Sequence, residues 1–271
     1  MNLSIYDRKH VRITDKWGEV FTGTASYAGE EFLECEYGGE EDGIFIGDCL
    51  IYNSQIVSIE EAEVHGTAEL LTDRLMLRRY REEDADELYR RFGADPEMTK
   101  YSGWNPYATP EAARATVQRF IESYSDKHFY SWIIDWEDVV IGTIGAYDYE
   151  PEATVTGGTA SDAFSGANNI PGESTKADLS ATGGTIEVGF SIDRACWGRG
   201  YATEALTCVL QYLTGNEGIG RVTAWCASEN AGSRRVLEKA GMELTRIEKA
   251  GLAVGDQTHD QMFFEYRGLP R

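Results

Sequence analysis

Residues 185–205 constrain this chain more than any other stretch. Thr185-Ile186-Glu187-Val188-Gly189-Phe190-Ser191-Ile192-Asp193 alternates strictly. Ile186, Val188, Phe190 and Ile192 share one face and Glu187, Gly189, Ser191 and Asp193 the other, the pattern of a half-buried strand. Arg194-Ala195-Cys196 then leads into Trp197-Gly198-Arg199-Gly200, after which Ala202, Ala205, Leu206, Val209, Leu210 and Leu213 recur at helical spacing. A strand running through a glycine loop into a helix leaves unpaired N–H groups at the positive end of the helix dipole, a setting that favours phosphate or pyrophosphate. Two common phosphate patterns do not fit. The Walker pattern ends in Gly-Lys-Ser/Thr, and the dinucleotide fingerprint needs a third glycine where Thr203 stands. By glycine spacing alone, a tight turn that needs glycine only for its backbone angles is the better reading.

The 271 residues suffice for one large domain or two smaller ones, and an apolar content of 42% allows a sizeable core. No apolar run approaches the roughly 20 residues of a membrane span. Met1-Asn2-Leu3-Ser4-Ile5-Tyr6-Asp7 lacks the basic-then-apolar order of a signal peptide. Five scattered cysteines (35, 49, 196, 208, 226), with no C-x-x-C, read as free thiols in a reducing cytoplasm, and four dispersed histidines (10, 65, 128, 259) suggest no metal site. The net charge of −21 disfavours nucleic acid and suits a cationic partner, while serving solubility equally well.

Residues 1–63 read as a small all-β barrel domain: short strands at Val11–Thr14, Val20–Tyr27, Phe32–Tyr37, Gly43–Ile46, Leu50–Tyr52 and Gln55–Ile59, separated by turns. Val11-Arg12-Ile13-Thr14-Asp15, Gly18, Phe21 and Gly23, with Gln55 to Glu60 closing, resemble an Sm-like or SH3-like small barrel. Residues 1–65 carry four basic and fourteen acidic side chains, 4 − 14 = −10, so an RNA-binding face is disfavoured. Protein contact, acceptor recruitment and a purely structural role stay open.

A charged connector, Glu60 to Thr67, precedes a second domain over 68–271. It opens with Thr72-Asp73-Arg74-Leu75-Met76-Leu77-Arg78 and an acidic helix start at Glu82 to Glu87. A loop containing Tyr101 and Trp104 follows, then a helix from Thr109-Pro110-Glu111 to about Tyr124. Strands at Phe129–Trp136 and Val139–Tyr149 lead to residues 151–184, which are rich in Gly, Ala, Ser and Thr and read as a flexible insertion. Beyond the glycine loop, Gly220–Ala227 is a strand, and Asn230-Ala231-Gly232-Ser233 to Gly241 is a helix with a glycine C-cap. Closing strands are expected at Met242–Ile247 and His259–Tyr266, joined by Glu248 to Thr258.

Glu-Val-Gly-Phe-Ser-Ile-Asp-x-x-x-Trp-Gly-Arg-Gly-Tyr-Ala-Thr-Glu-Ala (187–205), the Thr72–Leu77 opening and Asn-x-x-Ser-x-x-x-Leu-Glu-Lys-x-Gly (230–241) together resemble the GNAT N-acetyltransferases, in the branch that includes the ribosomal-protein N-terminal acetyltransferases. The resemblance implies an α/β (α+β) GNAT fold over about 68–267, a mixed, mostly antiparallel sheet flanked by helices. It implies acetyl transfer from acetyl-CoA to a primary amine by direct attack in a ternary complex. A protein N-terminus, a polyamine and another small amine all remain open as acceptor, and the alternative is an inactive acyl-CoA-binding or scaffold protein.

By the same resemblance, Gly198, Arg199, Gly200, Tyr201, Ala202 and Thr203 hold the pyrophosphate. Phe190, Ser191 and Ile192 hold the thioester end through their main chain beside a splayed neighbouring strand, with Gly189 tolerating a bulge. Asn230 faces the pantetheine arm, and Tyr101 and Trp104 wall the acceptor. Two departures stand out. Trp197 replaces a usual Gln or Arg, and Leu237 stands where many members carry an acidic tyrosine. Ser233 is then the candidate acid. Glu187 is the candidate base, with Tyr147, Asp193 and His259 as alternatives.

Overall fold

The computed structural model describes residues 1–62, 66–93, 95–101, 107–152, 183–254 and 257–267. A first sheet contains β1 (His10–Asp15), β2 (Val20–Ala28), β3 (Gly43–Ile46), β4 (Cys49–Tyr52) and β5 (Ile56–Glu61), all antiparallel, in the order β4-β3-β2-β1-β5. The long β2 is shared. Val20–Thr24 bond to β1, and Ala25–Ala28 bond to β3. The outer strands β4 and β5 are separated in sequence only by Asn53–Gln55, so the sheet curls until its edges approach. Leu3, Val11, Ile13, Ala25, Ile44, Ile51 and Ile56 fill its interior.

One expected strand is a helix. Residues Phe32–Tyr37 lie in α1 (Glu30–Tyr37). Leu33, Cys35 and Tyr37 alternate as strand residues do, but the ends favour a helix. Glu30 and Glu31 sit in its first turn, where the dipole favours them. Gly38, at φ 66°, caps its C-terminus and bonds back to the Glu34 carbonyl.

The second sheet holds eight strands: β6 (Leu70–Leu71), β7 (Met76–Arg78), β8 (Tyr130–Trp136), β9 (Val139–Glu150), β10 (Thr185–Ile192), β11 (Arg221–Ala227), β12 (Glu243–Val254) and β13 (Gln257–Tyr266). Their order is β12-β13-β11-β10-β9-β8-β7-β6, and β10–β11 is the one parallel pair among the described residues. The closing hairpin is longer than its apolar pattern suggests. Ala250, at φ 51°, sits in an irregularity between Glu248 and Leu252, and Asp260 accepts from its N–H at 3.0 Å, so β12 resumes and runs to Val254.

Alternation along the strands makes two apolar layers. Tyr130, Trp132, Ile134, Ile186, Val188, Val222, Ala224 and Phe264 pack beneath α5 (Tyr201–Gly215) and α6 (Ala231–Lys239). On the opposite face, Ile133 and Val140 pack against Ala85 and Leu88 of α2 (Asp84–Leu88) and Ala113 and Val117 of α4 (Pro110–Ser123). α2 runs on as a π-turn through Gly93, and a single turn, α3 (Pro96–Thr99), lies between α2 and α4. The first sheet meets the second where the Thr24 hydroxyl donates to the Glu69 carbonyl and Arg8 pairs with Asp73 at 2.7 Å. No helix among the described residues is long and apolar enough to cross a membrane. Most of the expected insertion, 153–182, lies outside the described residues.

Candidate active site

The site is built where β10 and β11 separate. Their parallel ladder pairs Thr185 with Arg221, Ile186 with Val222 and Glu187 with Thr223, and stops there. β10 continues to Ile192 bonded only to β9. The phase of the ladders tells which main-chain groups face the gap. The Asp193 N–H donates to the Ile141 carbonyl, and the register then places Ser191, Gly189 and Glu187 in hydrogen-bonded pairs with β9. The intervening residues turn their polar groups toward β11, as the Ile186 carbonyl does in accepting from the Thr223 hydroxyl. Beyond Glu187, the Val188 carbonyl and both main-chain groups of Phe190 therefore point into the gap, with no partner among the described residues.

The expected trio Phe190, Ser191 and Ile192 is thereby divided. Phe190 presents its N–H. Ser191 spends its main chain on β9, opposite Thr143. The Ile192 carbonyl accepts from the Trp197 indole at 2.6 Å. The expected bulge at Gly189 is also displaced. The irregularity lies in β9, at Asp148 with φ 55°. Gly189 is needed for space instead, because a Cβ there would lie 2.6 Å from the Tyr147 hydroxyl.

The glycine loop delivers α5 to the mouth of the gap. Gly198 and Gly200 have φ values of 74° and 85°, the left-handed region that other residues enter at a cost. Gly200 is the N-cap, and Glu204 makes the first intrahelical bond, to the Gly200 carbonyl at 3.0 Å. The N–H groups of Tyr201, Ala202 and Thr203 have no acceptor among the described residues. The Tyr201 side chain is buried beside Trp136, so only its main chain can face a ligand.

What holds this loop is a contact between two distant motifs. Arg74 donates to the Glu204 carboxylate (Nε to Oε2, 2.7 Å) and to the Arg199 carbonyl (3.1 Å), and its guanidinium lies 4.5 Å from the Tyr201 ring centre. The Thr72 hydroxyl donates to the same carboxylate at 2.6 Å. Thr72, Arg74 and Glu204 were visible in the motifs, but not as partners.

Glu187 lies on the face opposite α5, accepting from the Trp225 indole Nε1 at 2.9 Å, with Tyr147 across the ladder. Burial pushes its carboxyl up to about 7, and the Trp225 hydrogen bond only partly opposes this. Trp225 carried no motif signal; only the sheet register brings it to Glu187. Burial raises the Tyr147 phenol well above its usual range, with the neighbouring Glu187 charge adding to it.

Asn230 caps α6, its Oδ1 accepting from the Ser233 N–H at 3.0 Å. The Ser233 hydroxyl is half-buried and has no partner among the described residues. Their hydrogen bonds do not link Ser233 to Glu187: Glu187 bonds to Trp225, and the Ser233 N–H to Asn230. Tyr101 meets the His259 ring edge-on at 5.7 Å, and His259 Nδ1 lies 3.3 Å from Glu229, so this loop reaches the last hairpin beside the Asn230 cap. Trp104 lies outside the described residues. Of the alternative bases, Asp193 is committed to Arg91 at 2.7 Å and to the Ala195 N–H. No cluster of three or more metal-ligating side chains occurs among the described residues.

A mixed sheet thus parts beside a glycine loop that caps a helix. Residues 74–243 match the Acetyltransferase (GNAT) domain family, and the chain belongs to that family. An uncharacterized N-acetyltransferase of Bacillus subtilis, YoaA, is 27% identical over 176 residues, covering 64% of this chain and 82% of its own. Two solved structures share the fold. The ribosomal α-N-protein acetyltransferase RimL in complex with coenzyme A has a TM-score of 0.56 at 16% identity, covering 72% of this chain and 95% of its own. The microcin self-immunity acetyltransferase MccE in complex with acetyl-CoA and AMP has a TM-score of 0.56 at 15% identity, covering 72% and 93%.

Proposed function

We propose that this protein transfers the acetyl group of acetyl-CoA to a primary amine held over Glu187. The observation that carries this reading is the parted β10–β11 ladder, which leaves the Phe190 N–H pointing into a gap whose mouth is the N-terminus of α5. Acetyl-CoA supplies an activated thioester. The N–H groups of Tyr201, Ala202 and Thr203 bind its pyrophosphate, as unpaired donors at a helix N-terminus do. The Phe190 N–H donates to the thioester carbonyl and favours the charge that develops on its oxygen. Glu187 takes a proton from the attacking nitrogen, directly or through water, and Ser233 returns one to the departing sulfur. The acceptor ammonium first releases one proton to solvent, since only the neutral amine has a lone pair; the amide bond then forms as the carbon–sulfur bond breaks, and the proton taken by Glu187 returns through solvent to the Ser233 oxygen.

The acceptor class that fits is a cationic amine, since the chain carries −21 overall and a carboxylate at the site. A protein N-terminus and a polyamine both meet that description. The test is incubation with acetyl-CoA and a panel of amines, read by mass spectrometry. An acetylated product is expected. Cofactor binding by calorimetry without product from any amine would leave an acyl-CoA-binding protein and overturn transfer.

Two variants test the proton path. Ser233→Ala is expected to lower turnover by about 10²-fold with acetyl-CoA affinity near that of the wild type. Full activity would remove Ser233 from the reaction, since its N–H, not its hydroxyl, makes the cap bond. Trp225→Phe removes the hydrogen bond to the Glu187 carboxylate. That bond favours the ionised form, so its loss raises the Glu187 midpoint by about one pH unit. The acid limb of kcat/KM should move to higher pH by that amount, and an unmoved limb would sever Trp225 from the base.

A further inference from the structure

We propose that the exposed face formed by α1 and β3 docks an extended basic segment of a partner polypeptide. This inference rests on the first sheet alone and is independent of the transfer reaction. α1 buries only Leu33 of its eight residues. Phe32 and Tyr37 stay 51% and 58% exposed, an unusual cost for two rings on one short helix. They are not scattered. The Phe32 and Tyr37 centroids lie 6.2 Å apart, and Tyr37 lies 5.7 Å from Phe45 on β3, so Tyr37 links the three rings into one aromatic cluster.

Carboxylates flank these rings in sequence. Glu31, Glu34, Glu36 and Glu40 are exposed and have no ion-pair partner among the described residues. From Glu30 to Asp48 the sequence contains no lysine or arginine. Two of the four cations in residues 1–65 are engaged elsewhere: Lys9 pairs with Glu61 and Arg8 with Asp73. The region 1–65 holds −10 of the total −21 in about a quarter of the chain.

Charge complementarity therefore selects a cationic occupant and excludes nucleic acid and anionic lipid. Guanidinium and ammonium groups bind over aromatic faces, and flanking carboxylates strengthen the attraction. The spacing favours a polypeptide. Alternate side chains of an extended strand repeat at about 6.8 Å, close to the ring spacings, so every second residue of a basic segment would cover one ring.

The test is a fluorescence-anisotropy titration of the full chain with a labelled nine-residue peptide carrying arginine at alternate positions. A peptide of the same composition with its arginines contiguous is run beside it. The alternating peptide is expected to bind more tightly. Phe32→Ala/Tyr37→Ala keeps every charge and is expected to weaken it about tenfold. Glu31→Gln/Glu34→Gln keeps the rings and is expected to weaken it as well. This second pair decides if the aromatic variant loses its thermal transition. Absence of binding, equal binding of the two peptides, or an aromatic variant that folds and binds like the wild type would each overturn the proposal. Displacement by spermidine at equal charge concentration would reassign the face to small polycations.

Discussion

Gly200→Glu is expected to abolish acetyl-CoA binding while leaving the protein folded. Gly200 caps α5 at φ 85° and stands immediately before the three unpaired N–H groups proposed to receive the pyrophosphate. A carboxylate there would compete for those donors and repel the incoming anion. Like charges about 4 Å apart at a protein surface oppose each other by on the order of 4 kcal/mol, roughly a thousandfold in affinity. Rescue by Arg74 is not expected. A Cβ at 200 would come within 3.4 Å of Arg74 Nη2, but that guanidinium is committed to Glu204 and to the Arg199 carbonyl. Gly200→Ala separates charge from backbone strain. It adds only the left-handed penalty of about 1 kcal/mol and should weaken binding far less. Calorimetry on both variants, with thermal melts beside it, decides the matter. Unchanged affinity in Gly200→Glu would remove residues 198–203 from the phosphate site.

That the loop could be read in advance follows from two periodicities. Period two over Ile186–Ile192 and a helical period after Ala202 left little freedom for the residues between them, and the structure has the strand, turn and helix in those places. The family was legible for a related reason: three motifs spread from Thr72 to Gly241 agreed. What could not be read was pairing. Nothing in sequence marks Glu204 as the partner of Thr72 and Arg74, although that contact ties the opening motif to the glycine loop. Nothing distinguishes Ser191 from Phe190 as a main-chain donor either, because the difference is the phase of a ladder with β9, set by register over many residues. α1 was missed for a third reason. Its one buried residue, Leu33, leaves no helical stripe to detect, so the accidental alternation of Leu33, Cys35 and Tyr37 dominated the pattern.

Glu187→Gln is expected to lower turnover by about 10²- to 10⁴-fold, with acetyl-CoA affinity unchanged, and to erase the acid limb of the rate profile. The sign follows from the surroundings of the carboxyl. Burial disfavours its charged form, the Trp225 indole favours it, and burial prevails, leaving the group near 7. A carboxyl accepts a proton only when ionised, so kcat/KM should climb as pH rises through about 7 and fall below it. Glutamine keeps the shape and the Trp225 hydrogen bond but cannot titrate. The remaining pH dependence would then belong to the acceptor amine, whose own deprotonation gives a separate limb that shifts with the amine chosen. Tyr147 cannot supply the missing limb, because burial keeps its phenol protonated at neutral pH, which suits a donor rather than a base. Profiles taken with two amines of different basicity distinguish the two origins. A limb near 7 that is independent of the amine and persists in Glu187→Gln would place the titrating group elsewhere and take Glu187 out of the chemistry.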